Sequence, residues 1–122
     1  MKKEKFHITL ITSSNKEEYN LLGEYDKDSN IISYYESNSL RSKIVVDINK
    51  HLLIKENIDY KITIDLDVSN ITKGKIELKK ENQVLELEIK TNSFKFLNNN
   101  LTMKYTIIDS SEEIEYEIKI GG

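Results

Sequence analysis

The stretch Tyr60-Lys61-Ile62-Thr63-Ile64-Asp65-Leu66-Asp67-Val68 alternates apolar and polar residues without interruption. Period two marks an extended ribbon with one buried and one wet face, because successive side chains of a strand point to opposite sides. A helix would space its apolar residues three or four apart. The alternation recurs in Phe6, Ile8, Leu10; in Leu85, Leu87, Ile89; in Leu101, Met103, Tyr105, Ile107; and in Ile114, Tyr116, Ile118, Ile120. Ile, Val, Thr and Tyr, which dominate these runs, suit a pleated surface. The chain reads as all-β.

Polar segments separate the runs. Register follows from setting apolar against apolar residues, since a slip by one residue turns every side chain to the wrong face. A two-residue turn at Ser110 and Ser111 sets Ile107 opposite Ile114, Tyr105 opposite Tyr116, Met103 opposite Ile118 and Leu101 opposite Ile120. A turn at Glu81 and Asn82 sets Leu78 opposite Leu85 and Ile76 opposite Leu87. A loop over Leu97, Asn98, Asn99 and Asn100 sets Phe96 opposite Leu101 and Phe94 opposite Met103. With further breaks at Asp26 to Asn30 and Asn49 to Lys50, the spacing predicts about eight to ten strands in a meander. One segment offers two readings. Ser14, Asn15, Lys16 and Glu17 resemble a capping box that Leu21, Leu22 and Gly23 could end as a short helix,. As a strand, the segment puts Tyr19, Leu21, Gly23 and Tyr25 on one face, and that reading is preferred. There is no Pro to blunt sheet edges, so closure into a barrel is the expected way of removing them.

Composition bounds the rest. A chain of 122 residues accommodates one domain, expected to span 1–122. Its apolar fraction of 38% is dispersed regularly among 32% charged residues, which argues for a packed core over disorder. Ala, Pro, Trp and Cys are absent and Arg occurs once, while Ile, Lys and Asn abound, a bias typical of AT-rich coding sequence. Without Cys there is no disulfide framework and no thiolate metal site, so a reducing compartment is expected. The basic start Met1 Lys2 Lys3 Glu4 Lys5 is followed only by a short apolar run to Ile11 that contains His7, and no small-residue cleavage site follows. No stretch reaches the roughly 20 apolar residues of a membrane span. A cytoplasmic location without membrane contact is expected. Net charge is -3 and the lysines are interleaved with acids, so nucleic acid is not an expected partner.

The segment Ile31 Ile32 Ser33 Tyr34 Tyr35 Glu36, followed by Leu40, resembles the pattern of the YwiB-like family of uncharacterised bacterial proteins. There a Gly-containing strand, a turn, a Tyr-x-Glu strand and a β-branched strand succeed one another. Here Gly23, the turn at Asp26 to Asn30, the pair Tyr34 and Glu36, and Lys43 Ile44 Val45 Val46 occur in that order. Leu85, Leu87, Ile89 and Thr91 are similar to that family's alternating strand ending in Thr, and Leu101 to Ile107 to its following Tyr-containing strand. The resemblance implies a calycin or lipocalin-like antiparallel meander β-barrel and no established activity. Two departures stand out. Lys55 Glu56 Asn57 replaces the family's Arg-x-Gly, and Gln83 replaces a Gly. A role that needs a bidentate guanidinium is therefore not carried over to Lys55.

Tyr34 and Glu36 share a strand face with Ile32. If Ile32 points inward so does Glu36, and an inward carboxylate is costly unless paired. Lys55 or a tyrosine hydroxyl is the expected partner, which makes Tyr34, Glu36 and Lys55 the candidate ligand-binding residues of the barrel interior. The opposing reading places Glu36 in water at a strand end. Seven tyrosines invite a cavity reading, although Tyr is also a good strand former and Tyr105 against Tyr116 reads as packing. His7 and His51 lack any second histidine at ligand spacing,. Glu86, Glu88, Asp65 and Asp67 fall on the face opposite the apolar residues, so no metal or cofactor is expected. Nucleophile elbows, Gly-rich phosphate loops and zinc-protease pairs are missing, so the chain is not expected to be an enzyme. The closing Gly121 and Gly122 superficially resemble the tail of ubiquitin-like modifiers, whose folds need a long helix absent from this pattern. A fraying end is the preferred reading.

Two functions fit. The first is a non-enzymatic barrel whose interior holds a small apolar or amphipathic ligand. The alternative is a solid-cored barrel, filled by residues such as Ile62, Leu66, Phe94, Phe96 and Tyr116, that contacts another protein. Ligand identity and oligomeric state are open at this level, because fold alone does not select a function.

Overall fold

A computed structural model describes residues 3–37 and 40–121; Met1, Lys2 and the Gly122 of the tail reading lie outside the described residues. Ten antiparallel strands follow one another: β1 (Lys3–Ile11), β2 (Lys16–Asp26), β3 (Ile31–Tyr35), β4 (Lys43–Asp47), β5 (Leu52–Glu56), β6 (Tyr60–Asp65), β7 (Thr72–Leu78), β8 (Gln83–Leu97), β9 (Asn100–Ile107) and β10 (Glu112–Ile120). Each pairs with its neighbour in sequence, and β1 also pairs with β10, closing the meander into a barrel. No helix occurs among the described residues, and hence none long and apolar enough to cross a membrane.

The segment with two readings is a strand. β2 pairs with β1 from Lys16 opposite Ile11 to Glu24 opposite Lys3. Tyr19, Leu21 and Tyr25 pack on the core and Gly23 is buried, as two-residue periodicity requires. Gly23 is needed for packing: a β-carbon there would lie 2.2 to 2.9 Å from three atoms of the Phe6 ring.

Phe6 and Ile8 of β1, Ile32 of β3, Ile44 and Val46 of β4, Leu101 and Met103 of β9 and Ile118 of β10 are inaccessible to solvent and fill the interior. Leu66 and Tyr116 are buried with them, and Ile62, Phe94 and Phe96 pack against that cluster. The alternating run that decides the fold ends earlier than its pattern. β6 stops at Asp65, the Leu66 N–H donates to the His51 carbonyl at 2.9 Å, and Val68 is exposed. The strand read as ending at Thr91 instead continues to Leu97 through a bulge between Thr91 and Ser93.

Register differs from the sequence pairing in two hairpins. Ile107 faces Glu112, Tyr105 faces Ile114, Met103 faces Tyr116 and Leu101 faces Ile118; Leu78 faces Gln83 and Ile76 faces Leu85. Both shifts are by two residues, so each side chain keeps its face. The cause is the turn. Without a Gly for the type II′ form, a two-residue hairpin turn is type I′ and needs positive φ at both central residues, which costs a residue with a β-carbon about 1–2 kcal/mol. Loops 108–111 and 79–82 need it only once, at Ser111 (φ 58°) and Asn82 (φ 50°). Loops 27–30 and 48–51 follow the same plan at Asn30 (φ 60°) and His51 (φ 53°). Among the described residues only Asn98 and Asn99, with φ of 53° and 59°, make the tight turn, and there Phe96 faces Leu101 and Phe94 faces Met103 as expected.

Candidate functional site

The site lies where β3 ends. Ile32, Tyr34 and Glu36 share the inward face and all three are buried. Inward-facing Leu53 likewise fixes Lys55 two residues on, and the registers set Tyr34 beside Ile44 and Ile44 beside Lys55 across β3, β4 and β5. Lys55 Nζ lies 3.3 Å from Glu36 Oε1, with the Glu36 side chain 3% exposed and that of Lys55 24% exposed. The structure thus brings together the three residues singled out by the sequence, with Glu36 inside the wall instead of in water at a strand end.

The carboxylate sits on a hydrogen-bonded frame. The Glu36 N–H donates to the Ser42 carbonyl at 2.8 Å. Fully buried Ser42 accepts, at Oγ, a 2.9 Å bond from Asn57 Nδ2. Asn57 Oδ1 in turn accepts the N–H groups of Asp59 at 2.9 Å and Tyr60 at 3.0 Å, turning the chain between β5 and β6. Lys79 Nζ donates to the Asn57 carbonyl at 2.7 Å and pairs with Glu56 at 3.0 Å. Each of Lys55, Glu56 and Asn57, the triplet that departs from the family pattern, therefore has a defined partner. Sequence reading missed Ser42, Asn57 and Lys79. The Asn57-x-Asp59 spacing after an apolar run was the available signal, since Asn caps turns by bonding the backbone two residues on.

Three phenols, Tyr19, Tyr34 and Tyr116, lie near Glu36, and Tyr105 neighbours Tyr116. The Tyr34 ring meets Phe6 edge-on at 6.2 Å and 85°, and its buried hydroxyl finds no hydrogen-bond partner among the described residues. Burial holds the Tyr34 phenol well above its ordinary pKa, and neighbouring Tyr19 and Glu36 raise it further. Tyr116 is raised by burial and then by Tyr105, Tyr34, Glu36 and Tyr19. Burial, then Glu36 and Glu17, raises Tyr19; burial, then Glu112, raises Tyr105. All four stay protonated, so each offers an O–H donor next to apolar surface.

Two surface grooves flank the site. β2 and β3 pair only between Glu24–Asp26 and Ile31–Ser33 and diverge beyond. A groove of about 460 Å³ lined by Lys16, Glu17, Glu18, Tyr19, Glu36 and Ser37 opens in that gap. A smaller one of about 140 Å³ is lined in part by Gly23, Tyr34 and Tyr35.

This barrel has the YwiB fold. The crystal structure of the ywiB protein from Bacillus subtilis superposes with a TM-score of 0.69 over 98% of this chain and 92% of that chain, at 18% identity. At that identity the likeness is one of fold. No family profile matches the sequence, and no curated protein matches it.

The remaining candidates take structural parts. His7 Nδ1 and Asn20 Oδ1 lie 2.8 Å apart across β1 and β2, and the His51 ring stacks on Phe94 at 4.1 Å. Among the described residues no three His, Asp or Glu side chains converge on one point. The site's chemistry is that of neutral phenols near a carboxylate that pairs with the Lys55 ammonium group.

Proposed function

We propose that this chain is a non-enzymatic, cytoplasmic, lipocalin-like binding protein that holds a small amphipathic molecule at the Tyr34, Glu36 and Lys55 centre. The supporting observation is the Tyr34 hydroxyl, buried and without a hydrogen-bond partner among the described residues, close to the Glu36–Lys55 ion pair. A buried hydroxyl without a partner costs about 1–3 kcal/mol, and a ligand atom that accepts its bond would recover that loss. The groove along Tyr19 and Glu36 is the route in. Native mass spectrometry of protein purified from its own host tests this. The expected result is one small-molecule adduct per chain in the wild type, lost in Tyr34→Phe; unliganded wild type from that source refutes it.

One observation favours the second reading, a solid-cored module that contacts another protein. Phe6, Ile8, Ile44, Met103 and Ile118 leave little accessible surface along the axis. Under it, the same mass spectrum shows bare chain, and partners bind through the outer surface.

A further inference from the structure

We propose that the free edge of β8 is a self-association site, through which two copies of the chain pair antiparallel about a two-fold axis. This stands apart from the Glu36 site and does not depend on ligand binding. β8 pairs with β7 along Gln83–Ile89 but with β9 only from Ile89 onward. Among the described residues no strand lies against the β9 side of Gln83 to Glu88, so barrel closure leaves this edge open.

One bond made there fixes the backbone directions. The Ile108 N–H donates to the Glu88 carbonyl at 3.0 Å, so Glu88 faces away from β7. Backbone polar groups alternate sides along a strand. Val84 and Glu86 therefore also aim their N–H and C=O groups outward, while Gln83, Leu85 and Leu87 face β7. The same edge carries exposed apolar side chains: Val84 is 56% exposed, Leu85 45% and Ile108 37%.

A second copy of this chain fits the edge in one register. Val84 pairs with Glu86 of the second copy, Glu86 with its Val84, and Leu85 meets Leu85 at the axis. That satisfies the free backbone groups of both residues in both copies and joins the two leucines on one face. Shifting by two residues either sets Glu86 against itself or carries it into the loop at Asn82. In the favoured register each Glu86 meets Val84, and Lys73 at 3.4 Å offsets its charge. A second edge that is one-sided among the described residues, along β2, carries Lys16, Glu17 and Glu18 and faces Glu36 and Ser37 across a groove. Charges of this kind guard an edge against pairing. The β8 contact is short, which puts the dimer among transient associations.

Sedimentation velocity over a dilution series, from micromolar to about 1 mM, tests this alongside Val84→Pro. Proline is tolerated on an edge where the N–H faces solvent, so this substitution deletes one donor per copy and leaves the β7 ladder intact. The expected result is a reversible monomer–dimer equilibrium, about tenfold or more weaker in Val84→Pro, with an unchanged urea midpoint. In the wild type, amide exchange should slow with concentration at Val84 and Glu86 and not at Leu85 or Leu87. A wild type monomeric at the highest concentration overturns the proposal, as does a dimer that Val84→Pro leaves intact or whose protected amides lie on β2. If Val84→Pro does not fold, the exchange pattern of the wild type decides.

Discussion

Replacing Tyr34 by Phe removes one oxygen from the centre of the site and nothing else. The ring that meets Phe6 at 6.2 Å and 85° keeps its shape and volume, so the transfer and cavity penalties of a core truncation are absent. What changes is a buried hydroxyl with no partner among the described residues, whose desolvation is worth about 1–3 kcal/mol. Taking the low end, because a nearby polar cluster partly compensates, ligand-free Tyr34→Phe should be about 1 kcal/mol more stable than the wild type. For a chain of this length that is a rise in Tm of about 3–5 °C. Urea unfolding of both proteins after refolding from denaturant, which strips any ligand, measures it directly. The sign should reverse in material taken from the native host, where a bound molecule bonded to the hydroxyl stabilises only the wild type. Loss of about 1 kcal/mol or more in the stripped protein would refute the reasoning, since it would mean that the hydroxyl is already well satisfied.

Gly23→Ala should destabilise the barrel by about 1–3 kcal/mol through overpacking, because its β-carbon would lie within 2.9 Å of three atoms of the buried Phe6 ring. Pairing it with Phe6→Leu should recover part of the loss, and a double-mutant cycle in urea showing simple additivity would contradict the contact. On alkaline titration followed by phenolate absorbance, Tyr19, Tyr34, Tyr105 and Tyr116 should keep their protons past the ordinary phenol range, since each is raised. The unfolded chain releases those protons near the ordinary value of 10.0. Above that pH the unfolded state binds fewer protons than the folded one, so stability should fall as pH rises. Titration of all seven tyrosines in one step while the chain remains folded would contradict this.

The fold was legible because an interior lined by Ile8, Ile32, Ile44, Leu101 and Ile118 demands alternation, and alternation is written residue by residue. Register was only half legible. Apolar pairing chooses a face but does not choose between registers two residues apart, since both hide the same side chains. Turn energetics make that choice: at Ser110 and Ser111 the pairing rule favoured a tight turn, whereas left-handed strain favoured a four-residue loop with only Ser111 at positive φ. Two adjacent asparagines tolerate the left-handed region better, which is why the hairpin at Asn98 and Asn99 has the expected pairing.

The site was legible for a related reason. Parity along β3 forces Glu36 to follow Ile32 and Tyr34 inward, and a carboxylate held there needs a cation within reach. Parity along β5 puts Lys55 on the inward face behind Leu53, and the two-strand separation set by the pairing of Ile44 with both Tyr34 and Lys55 brings the charges to 3.3 Å. Contacts that do not follow from parity were hidden. Ser42, Asn57 and Lys79 act from the ends of strands, where the chain leaves the ladder and backbone groups must find side-chain partners. The open edge of β8 was hidden for the opposite reason: a closed strand order implies that edges are gone, yet closure through Ile89 to Leu97 leaves Val84 and Glu86 facing outward. Adjacency of strands is a property of order, whereas protection of an edge depends on how far each ladder runs, and a long β8 beside a shorter β9 separates the two.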